Sequence, residues 1–164
     1  MSLSSKLRSA APQNAPQTAQ SNDVSDTDAA KLQVRFTPDM ISHLEENEIF
    51  VFGSNLRGMH GGGAAAVAYK KFGAVWGQGV GLQGQTYAIP TMQGGVDTIK
   101  PYVDDFIAFA AAHPELTFYV TRIGCGIAGF RNAEIAPLFK QSLQLANVIL
   151  PRSFYIELTK SDTK

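Results

Sequence analysis

Two short runs, EIFVF at 48–52 and TFYVTRIG at 117–124, limit this chain's folding options more than any other feature. Both are almost unbroken in apolar, β-branched and aromatic residues. A strand without polar alternation has to be covered on both faces, the situation of a strand inside a parallel sheet. TYAIPT (86–91) reads as a third strand. SFYIEL (153–158) alternates, with Phe154, Ile156 and Leu158 on one side and Tyr155 and Glu157 on the other, and is expected to be a strand with one face partly wet. KLQVRFT (31–37) is a weaker opening strand.

Helical patterns fall between these runs. Residues 64–72 are alanine-rich, carry Lys70 and Lys71 in the last turn and meet Gly73, a favourable C-terminal arrangement. Residues 99–112 put Ile99, Tyr102, Val103, Phe106, Ile107 and Ala110 on one stripe. The last helix places Ile135, Leu138, Phe139, Ser142, Leu143 and Ala146 at similar spacing, with Pro137 as its first residue after a turn at 132–136. Strands alternating with helices predict an α/β fold: a mixed, mostly parallel sheet with helices on both faces, in three layers.

Length and charge narrow the function. The 164 residues suffice for one domain with a substantial core, and 14 basic residues balance 14 acidic ones. Bulk duplex-DNA binding by phosphate neutralisation is therefore not expected. Cys125 is the single cysteine, which fits a reducing, cytoplasmic setting. No apolar run approaches the roughly 20 residues of a membrane span. Residues 1–31 lack any aromatic residue and are rich in Ala, Gln, Ser, Thr and Pro, so they are expected to form a disordered tail before a domain at 32–164. The Ser-rich, basic beginning leaves an organelle transit peptide open.

Two glycine clusters follow predicted strands. GSNLRGMHGGG (53–63) joins the strand at 48–52 to the alanine-rich helix, and GCGIAGFRN (124–132) joins the strand at 117–123 to the last helix. In open α/β sheets ligands collect beyond the carboxyl ends of the strands. Bare backbone amides at a helix start favour an anion, and two such loops side by side could clasp a diphosphate. Side chains at Gly61, Gly62, Gly63, Gly126 or Gly129 would stand where the phosphate must approach. Alanines 64–66 would keep the helix start close to the sheet.

VFGSNLRGMHGGGAAAVAYKKFG and FYVTRIGCGIAGFRNAEIAPLFK, in that order, resemble the two binding loops of macro domains, and the likeness spans roughly residues 32–158. The resemblance implies a macro-like fold that binds ADP-ribose or a related nucleotide diphosphate metabolite. An ADP-ribosylated macromolecule is then a further partner, and ADP-ribosyl hydrolysis a possible activity. It places Gly53 and Asn55 at the end of the first strand, with Asn55 toward the terminal ribose. Gly61, Gly62 and Gly63 fall on one side of the diphosphate, and Gly124, Cys125, Gly126, Ile127, Ala128 and Gly129 on the other. Phe130 matches the aromatic position packed against the ribose. The glycine run is similar to the branch that includes an ADP-ribose–glutamate hydrolase and a DNA-ADP-ribosylation antitoxin. That branch carries a lysine where this chain has Gly62, and the acid that another hydrolase group places after the glycines is absent from AAAVAY. Asp39 is the nearest candidate for the acid that reads adenine. The stretch at 75–91 departs from the family and is a candidate pocket wall.

Individual residues leave alternatives open. Asn55 and His60 are the catalytic candidates, His60 as a general base beside the glycines or as an exposed loop residue. Cys125 is either a nucleophile served by His60 or a packed small residue. Arg57 and Arg131 either assist phosphate binding or are solvated. Gln78, Gln83 and Gln85 offer amides to a base or ribose, and Trp76 either stacks on adenine or packs at a helix edge. Three dispersed histidines and one cysteine give no zinc spacing, so neither a metal nor a cofactor is expected. An enzyme acting on another phosphorylated nucleotide-type substrate through His60 or Cys125, and a protein-interaction domain with purely structural glycines, remain as other readings.

Overall fold

A computed structural model describes residues 34–160. The predicted tail at 1–31 lies outside the described residues, and a compact unit begins at Phe36. Five strands, β1 (Glu48–Ser54), β2 (Gly81–Gln83), β3 (Thr86–Pro90), β4 (Thr117–Val120) and β5 (Val148–Ile149), form one sheet in the order β2-β3-β1-β4-β5. β1 runs parallel to both β3 and β4, β5 is parallel to β4, and only β2 is antiparallel. The helices are α1 (Gly63–Lys71), α2 (Val96–Ala112), the single turn α3 (Asn132–Ile135) and α4 (Arg152–Lys160); a 3-10 segment, Ala136–Gln144, continues α3.

The unbroken apolar run of β1 has its expected cause, whereas in β4 Phe118 and Val120 are buried and Thr117 and Tyr119 only half-buried. Along β1, Ile49 and Val51 join a large cluster with Phe106 of α2, Phe139 and Phe154, while Phe50 and Phe52 join a second cluster with Ala65, Ala68 and Phe72 on the α1 side. Successive side chains of a strand point to opposite faces, so β1 feeds both clusters and has no wet side. Each fully buried Phe here stabilises the fold by roughly 1.5–3 kcal/mol relative to exposure. The small alanines of α1 bring its backbone close to β1, which matters for the loop that precedes it.

Three expectations change. SFYIEL is not a strand: it lies in α4, directly after Pro151, with Phe154 and Leu158 buried and Ile156 46% exposed. Residues four apart share a helix face, whereas 156 falls on the opposite side. The last strand is instead the two residues of β5. The predicted last helix is one α turn followed by 3-10 geometry, with Pro137 second in that segment; Leu143 and Ala146 are exposed rather than in the core. Of the opening strand, Phe36 makes an isolated parallel bridge with Leu150, and 31–33 lie outside the described residues. α2 also starts three residues before the predicted 99 and runs through Pro101, which lacks the N–H that would bond the Asp97 carbonyl.

Candidate functional site

β1 and β4 are adjacent and parallel, with Val51 opposite Val120, so the loops that follow them leave the same sheet edge side by side. Thr121 ties the two exits together, its backbone N–H (3.1 Å) and its hydroxyl (2.7 Å) both donating to the Val51 carbonyl. A cleft of about 310 Å³ opens between the loops, and Thr91 and Met92, just past β3, close its side. Its walls include most of the predicted residues: Gly53, Asn55, Gly62 and Gly63 from the first loop, and Gly124 through Ala128 from the second. Gly61, Gly129 and Phe130, also predicted, are not among the lining residues; Phe130 packs against the main core cluster instead.

The first loop enters α1 with Gly62 as N-cap, without a side-chain cap and without an acidic residue in the first turn. Among the described hydrogen bonds, the first α1 amide with an acceptor is that of Ala66, bonded to the Gly62 carbonyl at 3.2 Å. The N–H groups of Gly63, Ala64 and Ala65 have no protein acceptor among the described bonds and border the cleft. The second loop differs from expectation. Its helix α3 is four residues long, and the Glu134 carboxylate already accepts the Arg131 N–H at 2.8 Å. An acid thus already stands at this helix start and takes the Arg131 N–H, and the helix is a single turn. The donors come earlier, from a turn closed by Gly129 N–H to the Gly126 carbonyl (3.0 Å) and Phe130 N–H to the Gly124 carbonyl (2.8 Å). That turn leaves the amides of Gly126, Ile127 and Ala128 without a protein acceptor among the described bonds, on the opposite wall.

The glycines divide into two sets. A methyl group added at Gly58 (φ +71°) would run into the backbone of Gln78, and one at Gly79 would meet the backbone oxygens of Asn55 and Leu56. At Gly61 and Gly126 it would meet nothing within 4 Å, and at Gly62 only the Ile127 Cδ1 at 3.5 Å, ordinary contact. None of these three has a left-handed φ. Neither the backbone nor the packing of the protein requires glycine there.

Asn55 lines the cleft, but its side chain is engaged in its own loop: Nδ2 donates to the Met59 carbonyl (3.0 Å), and Oδ1 accepts the Met59 N–H (2.9 Å). His60, expected as a general base or as an exposed residue, is neither at the cleft nor exposed. It is 1% accessible, with Nε2 against the carbonyls of Val75 and Gln78 and its ring edge-on to Phe52 and Trp76. The expected pairing of His60 with Cys125 therefore fails on position. Cys125 does line the cleft; burial pushes its thiol above the ordinary range, against an opposing pull from Arg122, so it is held as the weakly nucleophilic thiol.

Arg57 and Arg131 are exposed and outside the cleft, Arg131 pairing with Glu134. Sequence reasoning missed Arg122, whose Nε donates to Asn132 Oδ1 at 3.1 Å while the residue lines the cleft. It also missed Met92, which with Thr91, the last residue of the candidate wall at 75–91, lies where a parallel strand ends, the position at which a lining residue is expected. The stretch 75–91 contributes only Thr91. Its glutamines satisfy backbone carbonyls: Gln78 those of Val80 and Leu82, Gln83 those of Gln78 and Gly81, Gln85 those of Glu45 and Glu48. Trp76 stacks edge-on against Tyr69 of α1, remote from the lining. A second cleft of about 560 Å³ adjoins the first, sharing Thr121 and Arg122, and Asp39 lies on its wall. Met59, Met92 and Ile127 give the first cleft an exposed apolar mouth. Among the described residues no cluster of three or more His, Cys, Asp or Glu could hold a metal, and no helix is long and apolar enough to cross a membrane. No family model, no curated protein and no solved structure matches this chain.

Proposed function

We propose that the cleft binds ADP-ribose or a closely related nucleotide diphosphate through main-chain amides from both loops. One observation carries this reading: Gly62 and Gly126, on opposite walls of the cleft, are glycine where the protein's own structure makes no demand for it, and beside them stand six amides without an acceptor among the described bonds. A diphosphate could take them all at once, with charge-assisted bonds of roughly 1.5–3 kcal/mol each before ordering costs. A phosphate needs close backbone approach, and a side chain on either glycine would shorten the reach of the cleft. The α1 dipole adds to the attraction, and Arg122 supplies a nearby positive charge. The terminal ribose would lie against Asn55 and the apolar mouth, while the adenosine would extend past Thr121 into the second cleft, toward Asp39.

Binding rather than turnover is the reading the residues favour. His60 is removed from the cleft, Cys125 is held as a thiol, and Gly62 stands where the similar hydrolase branch carries lysine. If hydrolysis occurs, the protein supplies position and electrostatics, with Asn55 orienting the ribose.

Titration calorimetry with ADP-ribose should give a dissociation constant on the order of 10 μM, about −7 kcal/mol. ADP should bind more weakly and adenosine hardly at all. Absence of heat at millimolar ADP-ribose, with a cooperative thermal transition intact, would overturn the proposal. Incubation with ADP-ribosylated protein and DNA should release no ADP-ribose above the buffer control.

A further inference from the structure

His60 and Gln83 are both buried, at 1% and 4% exposure, and neither lines the cleft. They converge on one backbone strap. His60 Nε2 lies 2.9 Å from the Val75 carbonyl and 3.1 Å from the Gln78 carbonyl. Both neighbours are acceptors, so Nε2 carries the proton and shares it between them. Gln83, the last residue of the edge strand β2, grips the same strap from the other side. Its Oε1 accepts the Val75 N–H at 2.7 Å, and its Nε2 donates to the Gln78 carbonyl at 3.0 Å. The strap in turn holds the first loop: Gly77 N–H donates to the Gly58 carbonyl (2.9 Å), and the Ser54 hydroxyl donates to the Gly79 carbonyl (2.6 Å). His60 immediately precedes Gly61–Gly63, the rim that presents amides to the cleft.

We infer that Gln83 and His60 are positioning residues, a buried polar relay that fixes the amide rim from behind. The inference deepens the proposed binding reading and rests on it for the ligand, while the relay itself makes a claim about the free protein. A glycine-rich rim has many backbone conformations to lose on binding, and a ligand that must order it gives up affinity in doing so. Here the ordering is done in advance, by a histidine whose ring is wedged among Phe52, Tyr69 and Trp76 and whose N–H is divided between two carbonyls. Its Nδ1 is buried without a partner. The site tolerates that loss because only a donor is needed. A glutamine at 60 can meet the same demand, since its carboxamide brings two N–H groups to the two carbonyls. A leucine fills similar space and leaves both carbonyls without that donor.

The test compares wild type, Gln83→Leu, His60→Leu and His60→Gln. Two quantities are read after a thermal melt confirms folding: ADP-ribose affinity and hydrogen exchange at the bonded amides of Met59, Gly77 and Ala66. Gln83→Leu and His60→Leu should weaken ADP-ribose binding at least fivefold and speed exchange at these amides about tenfold. Exchange at Gly129 and Phe130, in the second loop, should stay within twofold of wild type. His60→Gln should lie within threefold of wild type in both readouts. Should His60→Leu fail to fold, Gln83→Leu decides the matter alone. A folded Gln83→Leu protein with unchanged exchange at Met59, Gly77 and Ala66 would overturn the relay. If wild type binds no ADP-ribose, the binding proposal falls, and the exchange measurement still tests the relay.

Discussion

Gly58 and Gly126 sit in loops that leave neighbouring strands at the same edge of the sheet, yet a methyl group would fare oppositely at the two. At Gly58 it has nowhere to go, because the backbone of Gln78 fills the space and φ is +71°. At Gly126 it would hang in open cleft. The first glycine is explained by the folded protein. The second is not required by the folded protein, and the proposed ligand gives it a reason. Composition cannot distinguish the two, because both loops read simply as glycine-rich. Their surroundings separate a residue needed for folding from one whose smallness serves approach.

Substitutions can break that contrast, and the largest effect belongs to the folding set. Gly58→Ala should cost about 3 kcal/mol or more, from left-handed strain together with a backbone collision, and urea denaturation should show a clear fall in midpoint. A midpoint within experimental error of wild type would erase the distinction. Gly126→Glu should behave in reverse. Its melting temperature should stay within about 3 °C of wild type, corresponding to about 1 kcal/mol or less for a domain of this size, while ADP-ribose affinity falls at least a hundredfold. Gly62→Ala lies between them: stability changes by no more than about 0.5 kcal/mol, and calorimetry shows binding weakened several-fold.

A smaller effect concerns Cys125. Burial raises its thiol pKa, so the folded state binds the proton more tightly than the unfolded chain does. The associated stability is complete below the unfolded thiol pKa and is lost as pH rises through that value toward the higher folded one. Alkylation by iodoacetamide should accordingly be slow at pH 7 and reach its half-maximal rate at a higher pH than for a free thiol. ADP-ribose should slow it further. A fast, ligand-insensitive reaction at pH 7 would place the thiol outside the cleft.

The parts of the fold that could be read in the sequence are those where one pattern admits one explanation. EIFVF and TFYVTRIG have no polar alternation, so their placement at the centre of a parallel sheet is direct, and with it the two loops at one edge. SFYIEL is ambiguous because six residues are too few to separate a period of two from one of 3.6; Phe154 and Leu158 satisfy both. Pro151, which opens α4, is the available signal. His60 is beyond reach for another reason. Its partners, the carbonyls of Val75 and Gln78, lie 15 and 18 residues away in the chain and are backbone groups, which every residue carries. Nothing in the residue types there marks them. Arg122 and Met92 could have been found by looking at the residues just beyond each parallel strand rather than at the places where glycines cluster.

The hydroxyl and amide of Thr121 on the Val51 carbonyl have a kinetic consequence. They anchor the two exits to each other at the foot of the cleft, so the strand ends that carry its jaws are held at a fixed spacing. We predict that the proposed ligand is captured without a closing step. Stopped-flow traces should be single exponentials whose rate climbs in proportion to ligand concentration, without the plateau that a rate-limiting rearrangement would impose.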